Sequence, residues 1–244
     1  MDAAWFPVIV LALAGLSTLA YGIRALDLLG AAASFFLGLL IALLGGLTWI
    51  ALMVLFTALS VVATRVGYGE KRARRVAEAA GGERGVRNVM GNGAAAGIVV
   101  LATQVPGIPP VAVAAAYATA VAAVAADTLA SELGVLAGRA RSILPPFGPV
   151  AVGSDGGISL LGQLAALFGA GAIALLAVPA VGLPMRLAWV PFIAGFLGCQ
   201  LDSVLGATLE GDARQGRPLG KQDVNFLASL LPAVAVLVGV SMTG

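Results

Sequence analysis

The sequence contains no histidine. Imidazole bases, His-ligated zinc and His-ligated haem are therefore excluded, and any chemistry falls to Asp, Glu, Asn, Ser, Thr, Lys and Arg. Chemistry with hard, oxygen-bound cations survives that exclusion. Cysteine is nearly absent as well. The one thiol, Cys199, has no partner for an internal disulfide and lies in an apolar run, where it reads as a small packing residue. Charged residues are 11% of the chain and aromatic residues 6%. So little charge is unsuited to the surface of a soluble domain. Nothing supplies the interleaved aromatics or separate basic module of a nucleic-acid binder, so nucleic acid is not expected as a partner.

What is present is apolar. Hydrophobic residues make up 60% of the 244 positions and the mean hydropathy is +1.01, more apolar surface than a single soluble core of this size buries. Runs of span length or slightly less extend from Trp5 to Gly22, Leu28 to Leu44, Leu47 to Ala63, Gly93 to Val105, Pro110 to Ala130, Ile158 to Val181, Leu187 to Leu205 and Val224 to Val240. The expected fold is all-α: one polytopic transmembrane bundle of about eight helices over residues 1–244. Gly45-Gly46 reads as a tight turn, and Pro106-Gly107-Ile108-Pro109-Pro110 stops the fourth run. The first run has no positive n-region and no A-x-A-like cleavage site after it, so it reads as a retained span.

Charge orients the bundle. Arg65, Lys71, Arg72, Arg74, Arg75, Arg84 and Arg87 crowd one connection, and basic connections stay in the cytoplasm. With that loop inside and the amino terminus outside, Arg24, Arg139, Arg141, Arg214, Arg217 and Lys221 also fall inside. Of the 14 Lys and Arg only Arg186 is left outside. Asp27, Glu70, Glu78, Glu83, Asp127, Glu132, Asp155, Asp202, Glu210, Asp212 and Asp223 fall on the same inner face, with Asp2 alone outside. Acids carry little topological information, so this clustering needs another cause.

Two incoming helices end in an acid followed by a hydroxyl, Asp127-Thr128 (with Ser131-Glu132 after it) and Asp202-Ser203. A carboxylate inside a membrane helix costs about 2.5–3.5 kcal/mol on insertion scales and usually faces a cavity and a partner. Neither helix has a Lys or Arg nearby, which makes a shared Mg²⁺ a reasonable partner; snorkelling of each acid to water is the plainer alternative. Three outgoing helices open on Asn88-Val89-Met90-Gly91-Asn92-Gly93, Gly153-Ser154-Asp155-Gly156-Gly157-Ile158-Ser159 and Asp223-Val224-Asn225. Gly-rich turns at helix amino termini expose N–H groups to phosphate oxygens, although capping alone accounts for Ser154, Asp155 or Asp223 taken singly. Arg87 beside the Asn-Gly turn suits bidentate phosphate pairing, whereas Arg72, Arg74 and Arg75 read as orientation signals. Arg139, Arg141 and Lys221 flank the acidic elements, and either reading suits them. Pro145-Pro146-Phe147-Gly148-Pro149 reads as a stiff connector.

At these residues the chain resembles an integral membrane family (domain of unknown function 92) whose plant member is the phytyl-phosphate kinase of tocopherol synthesis. The resemblance rests on Asn92-Gly93 after Arg87, the block Asp127 to Gly134, the block Asp155 to Ser159, and Gly198 through Asp202 to Thr208. It spans residues 87–225. The chain departs from the family pattern at Gly91, where Ala is expected, and at Glu210, where Gln is expected. The resemblance implies an Mg²⁺-dependent lipid-phosphate kinase. Its substrates would be a nucleoside triphosphate, CTP or ATP, and an isoprenyl monophosphate such as the phytyl or geranylgeranyl ester. In that reading Asp127, Asp202, Glu132 and Asp155 are catalytic and metal-holding. Arg87, Asn88, Asn92, Gly93, Thr128, Ser131, Gly156, Gly157, Ser159, Ser203, Lys221 and Asn225 contact phosphate or nucleotide. A nucleotidyltransferase forming a CDP-lipid would use the same features. A cation-coupled transporter would need ionisable groups at the bilayer midplane. Small residues throughout the helices suit packing within one chain or between copies, so assembly is open.

Overall fold

The computed structural model describes residues 5–77, 82–211 and 216–243; Asp2, Glu78, Asp212 and Arg214 lie outside them. Nine α-helices occur among the described residues: α1 Phe6–Gly22, α2 Leu28–Leu44, α3 Ile50–Arg65, α4 Tyr68–Ala73, α5 Val86–Leu101, α6 Pro110–Gly134, α7 Leu160–Val181, α8 Trp189–Leu209 and α9 Lys221–Thr243. All but the short α4 answer to the eight apolar runs. Five helical stretches have the length and hydropathy of a membrane span, and α1 and α2, at 17 residues each, are apolar but shorter. The chain is a membrane helical bundle.

Local chemistry sets the ends. Asp27 caps α2 by accepting from Gly30 N at 2.6 Å, and Ser159 caps α7 by accepting from Gly162 N at 3.1 Å. Asp223 holds the start of α9 by accepting from Gly220 N at 2.9 Å. Gly46 takes φ +112 in the turn between α2 and α3, a region an L side chain avoids.

The fourth run is the main departure from expectation. Helix α5 begins at Val86, seven residues before Gly93, so Asn88, Gly91, Asn92 and Gly93 lie within it. Asn and Gly are poor helix formers and read as turn. Here they are packing residues. A Cβ at Gly91 would lie 3.0 Å from Gln222 Cβ of α9, and one at Gly93 would lie 2.4 Å from Leu37 Cδ2 of α2. Tertiary contact on two sides overrides local propensity.

The α6–α7 connection carries a small antiparallel sheet ordered β2-β1-β3, made of β1 Ala140–Ser142, β2 Pro149–Val150 and β3 Gly157–Ile158. Ala140 pairs with Val150, and Arg141 pairs with both Pro149 and Ile158. Strands of two and three residues show no alternation to read, so the sequence suggested only a stiff connector there.

Helix α6 is the axis of the bundle. Every residue from Ala112 to Ala126 is buried, as an all-apolar helix requires. Its neighbours meet it through glycine: a Cβ at Gly169 of α7 would lie 2.9 Å from Ala125 O, at Gly195 of α8 2.5 Å from Ala122 Cβ, and at Gly198 2.6 Å from Ala123 Cβ. Such close approach is how membrane helices gain dispersion energy without a hydrophobic force between them. Gly195→Val is therefore expected to push α8 off α6 and lower the midpoint of thermal unfolding in detergent, by overpacking worth about 1–3 kcal/mol. An unchanged midpoint would contradict this packing.

Candidate functional site

The ends of α1, α3, α6 and α8 and the starts of α2, α5, α7 and α9 meet at one face. Leu26 and Arg84 bridge there, Thr64 of α3 bonds Glu132 of α6, and Ser159 donates to Gly134 O. A cavity of about 320 Å³ opens at this face. All the residues singled out as catalytic or phosphate-binding line it except Arg87 and Gly93.

Asp127 lies seven residues from the end of α6 and Asp202 seven from the end of α8, so both sit about 10 Å below the polar end of their helices. Both line the same cavity with Asn225 beside them, and their carboxyl groups lie close enough to act on each other electrostatically. Two carboxyls so placed repel unless a proton or cation lies between them. Neither is left without a basic neighbour, because Lys221 of α9 brings its charge beside both. That cation comes from a helix distant in sequence, where neither acid's own helix has one.

One helical turn beyond Lys221, the Asn225 amide lies between the acids and α5. Turning it end for end moves its donor from Asn92 Oδ1 at 3.1 Å to Asp202 Oδ2 at 3.2 Å and Lys221 O at 3.0 Å. Asn92 Nδ2 donates in turn to the carbonyl and side-chain oxygens of Asn88, both at 3.0 Å. Asn225, Asn92 and Asn88 thus form one polar chain across α9 and α5, and in its other orientation the Asn225 amide reaches Asp202 of α8 instead. An early helix start puts Asn88 and Asn92 on one face. They contribute amides to the wall, and the phosphate-binding turn expected around Gly93 is absent because its N–H lies within the helix.

Glu132 does not join the acid pair. Its Oε1 accepts from Thr64 Oγ1 at 2.6 Å and its Oε2 from Lys71 Nζ at 2.7 Å, with Arg84 Nη2 3.7 Å away. A carboxylate so fully engaged is unsuited to the metal-holding role expected of it. Among the described residues no group of three or more acids or thiols is placed to hold a metal; Asp127 and Asp202 are a recessed pair of carboxyls that a hard cation could bridge.

The Gly-rich turn before α7 is also more structural than expected. Asp155 is exposed at the rim, and Gly156, at φ +70, presses on α8, where a Cβ would lie 2.4 Å from Ala207 Cβ. Gly157 N donates to Ser154 O, and the Ser159 hydroxyl is occupied by capping α7 and by Gly134 O. Thr128, Ser131 and Ser203 present hydroxyls to the cavity. Arg87 is exposed and outside it, whereas Arg84 and Arg75 line it. Nothing local in so basic a segment distinguishes Arg84. What turns it inward is backbone pairing: Asp27 N donates to Arg84 O at 3.1 Å and Arg84 N to Ala25 O at 3.1 Å.

Glu210, just past α8, is held above the usual carboxylate range by burial first and by Asp155 second. A raised acid favours the protonated folded state, so its ionisation costs stability as pH rises. Glu210→Gln is accordingly expected to unfold at a higher temperature than the parent at pH 8. The difference should vanish at a pH below the ordinary glutamate range. An equal midpoint at both pH values would remove this account.

The chain matches the family model described as "Integral membrane protein DUF92" over residues 10–233. It is 29% identical over 211 residues to an uncharacterized membrane protein of Methanocaldococcus jannaschii, covering 86% of this chain and 84% of the other. With an uncharacterized membrane protein of Synechocystis it shares 32% identity over 211 residues, 85% and 79% of the two chains. With a protein of Arabidopsis thaliana named PGR it shares 32% over 214 residues, 78% and 74%. No solved structure matches. The match covers seven whole helices and most of α1 and α9, together with the cavity they enclose: the chain belongs to the DUF92 family of integral membrane proteins.

Proposed function

We propose that the cavity transfers a phosphoryl group from a nucleoside triphosphate, CTP or ATP, to an isoprenyl monophosphate at the cytoplasmic membrane face. The observation that carries this reading is the pairing of Asp127 and Asp202 in one cavity, recessed among amides and basic side chains. A phosphate oxygen of the acceptor attacks the γ-phosphorus, the bond from that phosphorus to the β,γ-bridging oxygen breaks, and the nucleoside diphosphate leaves. The acceptor is already ionised, so no strong base is needed, which agrees with a chain lacking histidine.

Positioning and charge neutralisation dominate such a transfer. Two carboxylates with the hydroxyls of Thr128 and Ser203 on the same cavity wall fit Mg²⁺, which commonly binds one or two carboxylates plus substrate phosphates; the Cys199 thiol beside them is a soft donor that Mg²⁺ leaves aside. When bound it would offset phosphate charge. Asn88, Asn92 and Asn225 orient phosphate oxygens as neutral donors, while Lys221, Arg84 and Arg75 supply positive charge along the wall. Ser203 and Thr128 offer hydroxyls beside the acids.

The test is purified protein in detergent with Mg²⁺, geranylgeranyl or phytyl monophosphate, and labelled CTP or ATP. Isoprenyl diphosphate is the expected product, with release of CDP or ADP; no diphosphate across several lipids and both nucleotides would overturn the reading. Pyrophosphate release with a CDP-lipid would instead establish nucleotidyl transfer, which the same site could serve. The polar chain lies toward one end of the helices, which disfavours a cation-coupled transporter; ion flux in proteoliposomes without nucleotide would reverse that.

A further inference from the structure

A second cavity, of about 400 Å³, lies beside the first, and it is apolar. Its walls run along α1 from Leu13 to Ala20 and on to Ile23, along α2 from Ser34 to Ile41, along α3 from Ile50 to Val62 and along α5 from Asn88 to Gly93. The cause is a gap in packing. Helices α2 and α3 are consecutive yet barely touch, because α1 and α5 pack on α2 while α3 leans on α6 and α7.

Three hydroxyls line this groove, and none calls for a polar ligand. Ser17 and Ser34 face each other at 3.4 Å, Ser34 Oγ also donates to Ala31 O at 3.0 Å, and Thr57 Oγ1 donates to Met53 O at 2.9 Å. Leu16, Leu19, Ile23 and Val62 on its walls are exposed, so the groove opens sideways on the surface that meets lipid. At its far end Leu13 closes against Gly38, where a Cβ would lie 3.0 Å from Leu13 Cδ2, and Ile50 stands beside them. From Val62 to Ile50 the groove measures about 18 Å along α3.

The near end is polar. Arg84, Asn88 and Asn92 border this groove and the polar cavity alike. We infer that the groove holds the hydrocarbon chain of a lipid monophosphate, entering from the bilayer, with its phosphate directed past Arg84, Asn88 and Asn92 toward Asp127 and Asp202. An apolar trough that ends on a guanidinium and two amides matches an amphiphile with an anionic head, and burying the chain there satisfies both ends. Leu13 and Ile50 then act as the stop that limits chain length. The role given to the phosphate rests on the phosphoryl-transfer reading; the seat of the chain does not.

The test uses the full-length protein in detergent and a geranylgeranyl monophosphate carrying a diazirine at the tail end. After irradiation, labelled peptides are mapped by mass spectrometry. Labels are expected on residues 13–62. Unlabelled monophosphate should displace the probe at a concentration at least tenfold below that of the corresponding alcohol. Thr57→Phe and, on the opposite wall, Ala20→Leu should each cut labelling at least fivefold. In the transfer assay they should raise KM for the long acceptor at least tenfold while leaving dimethylallyl monophosphate within twofold. Labels outside both 13–62 and the α5 wall from Asn88 to Gly93, or competition by the alcohol as strong as by the monophosphate, would overturn the inference. Labelling in the groove with no transfer from any nucleotide would sustain the seat and remove the kinase reading; transfer with labels elsewhere would do the reverse.

Discussion

Asp202→Asn and Asp127→Asn are each expected to lower turnover by about 10³-fold or more, because each removes one of two anionic oxygen sets facing the phosphates, and transition-state electrostatics of this kind carry the largest single share of catalysis. Both variants should also fold at least as well as the parent. An ionisable acid inside a membrane helix is a cost to insertion, and Asn keeps its size and hydrogen bonding without its charge. Opposed changes in activity and stability are the signature of a functional site, since residues kept against stability are kept for something else. The measurement pairs isoprenyl diphosphate formation with thermal unfolding of each variant in detergent. A near-normal rate in either variant would remove that acid from the site. A large fall in unfolding temperature in both would make the pair a structural element.

The two acids were legible in the sequence because an isolated Asp in an apolar helix is rare and expensive, and because two helices ended the same way. The apolar helices of the bundle were legible for the same reason of cost, since lipid tolerates only long apolar runs with satisfied backbones. Other features depended on chain distant in sequence. Lys221 lies beside Asp127 and Asp202 only because α9 returns against α6 and α8. Arg84 faces the cavity while Arg87 does not, through backbone pairing with Ala25 and Asp27 that no spacing announces. The Asn-Gly segment looked like a phosphate-binding turn, and three-dimensional packing against Leu37 and Gln222 made it helix. Glu132 looked like one more acid of the set until the basic loop folded back onto it.

That fold-back sets the second large effect. Lys71 is wholly buried, and its ammonium donates to Glu132 Oε2 at 2.7 Å, Ala63 O at 2.7 Å and Thr64 O at 3.3 Å. All three of its donors are used, and two of them meet carbonyls of the last turn of α3, where the helix dipole favours a cation. Lys71→Met strips these partners of charge and leaves Glu132 buried, a loss of about 3–5 kcal/mol for a broken buried pair. The midpoint of thermal or denaturant unfolding should fall accordingly. Adding Glu132→Leu should recover much of the loss, because replacing both members of a buried pair with apolar side chains is often close to neutral. Recovery would be incomplete to the extent that Arg84, 3.7 Å from Glu132 Oε1, draws on the same carboxylate. A double variant no more stable than Lys71→Met would show that Glu132 answers chiefly to Arg84 and Thr64. Activity adds a separate reading: the loop that Lys71 pins to α3 and α6 also brings Arg75 and Arg84 to the cavity. If the pin orders that wall, the double variant will be stable yet slow, with a raised KM for the anionic substrates.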